Sequence, residues 1–433
     1  MNGSDIDKSS NARQKRSCKH GNQLLFRACL TMIANMPKWK ENMHKFGICL
    51  GLSLGLLACN SSNDAVAEPK KSDTLSISPV DGPPFKQVEV ADFDSPWAMT
   101  FLPDGRLLVT ELDGELKLVD LSSGTAGVQP VTGTPEVDRG GQGGLGDIVL
   151  APDFEDNSTV YLSWVEAGDG DTRGAVVGRA TLVLDGEEGP ELTNLKKIWS
   201  QTPKVTGRGH FSHRIVFSPD GKYLFIGSGE RQKFDPAQEM STNLGKIVRL
   251  YPDGSVPEDN PFYDEGGVAA QVWTLGHRNI LGLAFDTQGR LWEQEMGPKG
   301  GDELNLIKAG KNYGYPIVSN GDHYDGKPIP DHDTRPEFEA PKVWWNPSIS
   351  PAGLIVYTGS AFPKWQGDAF LGALSGKALV RVDLEGDTAI KGVQFDMKTR
   401  IREVEQGPDG TLWLLEDGGK GSKGRLFKLV PTD

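Results

Sequence analysis

The sequence predicts an all-β fold, a six-bladed β-propeller with a central channel, and three observations predict it. An apolar alternating strand, a Pro-Asp-Gly-like turn and a second apolar strand recur six times from Phe85 onward. The 433 residues include 54 Gly and 28 Pro, many at those turns, which suits short strands joined tightly. No helical periodicity of useful length and no Rossmann-type glycine motif breaks the pattern. A hairpin alone leaves open sheet edges, and radial repetition of four-stranded sheets about a channel protects them. A pair of β-sandwiches is the alternative.

The first 84 residues stand apart. Met43-His44-Lys45 precede an apolar run, Phe46 to Cys59, too short for a comfortable membrane span and suited to a signal peptide. Leu56-Leu57-Ala58-Cys59 resembles a bacterial lipobox, which implies a lipid on Cys59; a plain secretory signal or a single membrane anchor is the other reading. The expected organisation is an N-terminal extension and lipoprotein-type signal peptide over 1–59, a polar tether over 60–84 and the propeller over 85–433. That implies a periplasmic or cell-envelope protein, lipid-anchored to the outer membrane, touching membrane only through that lipid. All four cysteines (Cys18, Cys29, Cys49, Cys59) lie in this leader, so the rest has no disulfide or thiolate metal site.

The repeats follow in order. Ala98–Phe101 and Leu107–Val109 flank Pro103-Asp104-Gly105; Ile148–Leu150 and Val160–Leu162 flank Pro152-Asp153; Ile215–Phe217 and Tyr223–Ile226 flank Pro219-Asp220-Gly221. Leu281–Phe285 with Arg290–Trp292, a degenerate copy from Gly353 to Leu374, and Val404 to Leu415 about Pro408-Asp409-Gly410 complete six.

Loops that converge over a propeller channel are where ligands bind. Gly140-Gly141-Gln142-Gly143-Gly144 presents one amide on permissive backbone. His210 and His213 precede a strand, where a histidine can serve as a general base near neutral pH. Arg278, Lys377, Arg400 and Arg402 fall at the edges of different repeats, and Arg400 and Arg402 share one face of an extended segment. Convergent cations in a chain of formal net charge -13 imply an anionic ligand, while that charge excludes nucleic acid as a general partner. Gly297-Pro298 removes an amide donor and bends the chain. Its carbonyls, with nearby carboxylates, suit a hard cation such as Ca2+.

Together these motifs resemble the soluble aldose (glucose/sorbosone) dehydrogenases that use pyrroloquinoline quinone (PQQ). The resemblance runs from about Phe85 to Leu429. It rests on Gln142-Gly143-Gly144-Leu145, His210 with Arg214, Gly276-His277-Arg278-Asn279, Glu295-Met296-Gly297-Pro298, Asp302–Ile307, Asn312–Pro316 and Arg400-Ile401-Arg402. It implies a six-bladed propeller with PQQ over the channel, oxidising an aldose at C1 to the lactone. His210 is then the catalytic base, and Arg278 with Asn279 contacts the quinone oxygens. Gln142, Arg400 and Arg402 hold the rest of PQQ, and Gly297 and Pro298 bind a catalytic Ca2+. Glu303, Tyr313 and Asp322 bind a second Ca2+. Where some members have a PQQ-binding Lys this chain has Ser375, and Lys377 is expected to substitute. The electron acceptor would be a small molecule, a quinone or a cytochrome. Two other classes remain open: a Ca2+-dependent propeller lactonase or hydrolase using Glu293 and Glu295 around a channel metal, and a non-catalytic carbohydrate-binding propeller.

Overall fold

The computed structural model describes residues 82–432. The expected leader, Cys59 and most of the tether lie outside them. Twenty-four strands form six antiparallel four-stranded sheets. The inner strands are Pro96–Phe101, Leu145–Leu150, Ser212–Phe217, Ile280–Phe285, Pro351–Val356 and Ile401–Gln406. They open blades one to six and stand side by side in a ring, the last beside the first. Five blades are consecutive in sequence. The sixth is completed by Phe85–Asp92, which pairs with Arg425–Pro431 as the outermost strand. This closure ties the two ends of the propeller chain together and gives blade six its fourth strand.

Blade-to-blade packing explains the apolar runs. Leu108 packs with Trp164 of blade two, whereas Leu107 and Val109 pack with Trp413 of blade six. Likewise Leu224 and Ile226 face blade two and Phe225 faces blade four. Side chains alternate, but both faces are covered, so the strand Leu107–Glu111 is buried throughout. Among the described residues the only α-helix is the four-residue turn Phe154–Asn157.

One residue pins the axis. Arg214 on blade three donates from Nε to the Leu281 carbonyl of blade four at 2.9 Å and from Nη1 to Asp147 of blade two at 3.2 Å. The same Nη1 meets Glu403 of blade six at 2.5 Å, and the guanidinium lies 4.1 Å over the Trp97 ring of blade one. Burial disfavours its charge, but Glu403 and Asp147 outweigh that and raise the pKa. Beside it the inner strands enclose a channel cavity of about 470 Å3 lined by Met99, Asp147, Leu354, Glu403 and Glu405, among others.

Candidate active site

Gln142, His210, Arg278-Asn279 and Arg400 each sit just before an inner strand, so the fold carries all of them to one end of the propeller. A cavity of about 390 Å3 there is lined by His210, Glu230, Arg278 and Pro298, with Phe234, Tyr315, His323 and Tyr324 as its aromatic wall. The predicted base and the predicted cation therefore face one space.

His210 is 6% exposed, and its Nδ1 is hydrogen-bonded to the fully buried Glu230. The other Glu230 oxygen accepts the backbone N–H groups of Lys233 and Phe234, the latter at 2.7 Å. Burial opposes charge on Glu230, yet the bond to His210 and these donors hold its pKa below the usual value. Burial lowers the His210 pKa too, against the pull of Glu230. The consistent state is an ionised Glu230 accepting from Nδ1–H of a neutral His210. That fixes the tautomer and leaves Nε2 as the free acceptor. His213, in contrast, is stacked on Trp97 at 5.0 Å, bonded to Ser163, and pushed down to about 3 by burial; it belongs to the core.

The loop holding His210 is strained and clamped. His210, Ser212 and His213 have φ of 49°, 60° and 61°, a region costly for non-glycine residues. Arg231, fully buried, donates to the carbonyls of Gly207 at 2.6 Å, Gly209 at 2.9 Å and Arg173 at 2.7 Å. The Gln142 amide oxygen accepts the His210 N–H at 2.6 Å. Gly141, at φ +60°, lies where a Cβ would stand 2.3 Å from the Arg208 carbonyl, so only glycine brings Gln142 this close.

Arg278 donates from Nη1 to the carbonyls of Met296 at 2.8 Å and Gly297 at 2.7 Å, and its Nη2 lies 3.3 Å from the Tyr324 hydroxyl. The Gly297 carbonyl thus turns inward to a cation instead of standing free, as the bend at Gly-Pro alone suggests. Burial opposes the charge on Arg278, but Tyr315, Tyr324 and Glu230 outweigh it and raise the pKa. Glu295 accepts the backbone N–H groups of both Arg278 and Asn279. Arg278 Nε and Asn279 Nδ2 are buried and bond to no acceptor among the described residues. Two adjacent orphaned donors are what an oxygen-rich anionic ligand would complete.

Arg400 and Arg402 do share a target, but it is the chain's own Asp417: Arg400 Nε lies 2.8 Å and Arg402 Nη2 2.9 Å from its two oxygens. Burial lowers the Arg402 pKa against this pairing. Lys377 is exposed in the turn between Ala369–Ala373 and Ala378–Glu385, at the same propeller end, and does not line the His210 cavity. Gly297, Glu303 and Tyr313 surround one small void with Glu295. Asp322 does not join them; it is exposed and pairs with Lys299 through backbone. The oxygen donors at Gly297, Pro298 and Glu303 are of the type Ca2+ takes.

Sequence reasoning missed Glu230 as the partner of His210, Asp417 as counter-ion of both arginines, and the aromatic wall. Glu230 and Asp417 each face their partners across the first hairpin of one blade, so finding them needs the strand register, which no local pattern marks.

The sequence model of the glucose/sorbosone dehydrogenase family matches residues 93–428. The chain is 39% identical over 349 residues to the aldose sugar dehydrogenase YliI of Escherichia coli K12, covering 78% of this chain and 91% of that protein. A glucose dehydrogenase crystal structure superposes with a TM-score of 0.75 at 40% identity, covering 80% of this chain and all of that one. The PQQ-bound aldose sugar dehydrogenase of Streptomyces coelicolor gives a TM-score of 0.65 at 29% identity, covering 80% and 99%.

Proposed function

Because the chain belongs to the glucose/sorbosone dehydrogenase family, it is an oxidoreductase acting on sugars, and we propose that it is a PQQ-dependent dehydrogenase oxidising aldoses at C1 to the lactone. One observation carries the mechanism: neutral His210, its tautomer fixed by Glu230, faces the same cavity as Arg278, whose Nε lacks a partner.

PQQ, bound in that cavity, supplies the two-electron acceptor for the C1 hydride. The chain does the rest. His210 Nε2 takes the proton of the C1 hydroxyl, a role typically worth about 10²–10⁴-fold. Glu230, already ionised, stabilises the imidazolium that results. Arg278 and Asn279 offer their orphaned N–H groups to anionic oxygen beside a cavity walled by Tyr315, Tyr324 and Phe234. Gln142, Lys377, Arg400 and Arg402 lie at the same propeller end and would hold PQQ's carboxylates, Arg400 and Arg402 while braced by Asp417. Gly297 and Pro298 carbonyls would hold a catalytic Ca2+; Glu303 and the Tyr313 carbonyl, without Asp322, would hold a second.

The final electron acceptor would be a small molecule, a quinone or a cytochrome. Export and a lipid on Cys59, anchoring the enzyme to the outer membrane, complete the proposal.

The test is to add PQQ and Ca2+ to purified apoprotein and follow dye reduction with a panel of aldoses. Turnover that requires PQQ supports the proposal. Hydrolysis without PQQ would favour a lactonase, and sugar binding without either reaction a lectin.

A further inference from the structure

The two middle strands of blade four carry a second polar cluster. Glu293 and Glu295 lie two apart on the strand Leu291–Glu295, so they share a face, and Glu303 and Asn305 stand opposite them on Asp302–Leu306. His277 closes the group from the loop ahead of the blade. One ligand atom each from His277, Glu293 and Glu295 lie within 4.8 Å of one another. His277 and Glu293 are fully buried, and Glu295 is 3% exposed.

Three features distinguish this cluster from an ordinary polar core. First, apart from Glu303, which the second Ca2+ would neutralise, it holds two buried carboxylates, yet no Lys or Arg side chain pairs with Glu293 or Glu295 among the described residues; their ionic neighbour is His277. Buried charge of one sign without a counter-ion is costly. Second, Glu293 Oε1 is buried with no hydrogen-bond partner, as is Oδ1 of Asn305, whose Nδ2 donates to Glu293 at 3.0 Å. His332 Nε2 lies 3.3 Å from Glu303 Oε1 without hydrogen-bond geometry. Third, the His277 ring is oriented from outside the cluster. Its Nε2 is 2.9 Å from the Thr274 hydroxyl, and Tyr313 stacks on it at 4.7 Å. His277 Nδ1 is also within hydrogen-bond reach of Glu295 Oε1, at 3.3 Å; with an ion bound, Nε2–H would donate to Thr274 and Nδ1 would offer its lone pair, the outer support typical of a metal-bound histidine.

We propose that His277, Glu293 and Glu295 bind one divalent cation of the zinc class. An imidazole with two carboxylates suits Zn2+ or Mn2+ better than Ca2+, which prefers oxygen alone. The spacing agrees. Ligand atoms about 2.1 Å from a four-coordinate ion stand roughly 3.4 Å apart; His277 Nδ1 is 3.3 Å from Glu295 Oε1 and 3.9 Å from Glu293 Oε2. The other Glu295 oxygen grips the backbone of Arg278 and Asn279, so the ion would brace the floor of the active site.

The test strips the purified protein with chelator and restores Ca2+ in excess. Zn2+, Mn2+ or Co2+ is then added, and metal content is measured after gel filtration. The expected result is one tightly held transition-metal ion per chain, a higher Tm, and, with Co2+, visible d–d absorption of a His-carboxylate site. Glu293→Gln should hold none and show no metal-dependent rise in Tm, while its metal-free Tm equals or exceeds that of the metal-free parent. No retained ion in the parent protein, or an undiminished ion in Glu293→Gln, overturns the proposal. The Co2+ spectrum of the parent protein decides the matter even if the variant fails to fold.

Discussion

Replacing Glu230 by Gln tests the tautomer argument with little change of shape. Glu230 has one oxygen on His210 Nδ1 and the other on the Lys233 and Phe234 N–H groups. A glutamine can satisfy those two donors only with its carbonyl oxygen. Its NH2 then faces His210 Nδ1 and makes that atom an acceptor. The ring proton is driven to Nε2, the atom that must receive the sugar proton. The base is lost although every heavy atom stays in place. General-base catalysis is worth about 10²–10⁴-fold, or roughly 3–5 kcal/mol at 1.36 kcal/mol per decade. The expected outcome in steady-state dye reduction is a kcat fall in that range, with PQQ affinity, followed by its absorbance or fluorescence, within a few-fold of the parent. The pH profile gives an independent check. Burial lowers the His210 pKa, so the parent's activity should fall with acid only below the ordinary histidine value of 6.5, and Glu230→Gln should lose that limb. A kcat within threefold of the parent would refute the reasoning.

Three more outcomes follow from the same geometry. Phe234 is 44% exposed and walls the cavity; if its ring packs on the sugar, Phe234→Ala loses about 1–2 kcal/mol of apolar contact. KM should rise about 5–30-fold with kcat little changed, measured across the aldose panel. Arg214→Met removes the cation between Asp147 and Glu403; two buried carboxylates left unpaired should cost about 3–5 kcal/mol, read as a lower midpoint in urea. Burial in the channel pushes Glu405 from 4.5 up to about 8. Between those values the folded chain holds a proton that the unfolded chain has released, so this group's contribution to stability falls as pH rises. Glu405→Gln should flatten that fall in a series of Tm measurements from pH 5 to 8 (about the span of the two values).

The ring was legible because its signal repeats. Pro-Asp-Gly turns at Asp104, Asp220 and Asp409 mark the same hairpin in three blades, and the structure puts an inner strand before each. The strand faces were harder to read, since Leu107 and Leu108 are both buried although they point to different blades. His210, Arg278 and Asn279 were legible because each sits where an inner strand begins, which is a position in sequence. Glu230 and Asp417 were not, because nothing local ties them to residues 20 and 15–17 positions away. Arg400 and Arg402 show the limit of period-two reasoning: it gave them a shared face correctly, but their partner is a carboxylate from the neighbouring strand end.

The most direct measurement follows reduction of PQQ-loaded His210→Ala by an aldose in a stopped-flow instrument. The Nε2 lone pair is the proposed proton acceptor, so the variant should retain PQQ with near-parental affinity and react at least about 10²-fold more slowly. Reaction at the parental rate would contradict the assignment of His210 and, with it, the mechanism built on this cavity.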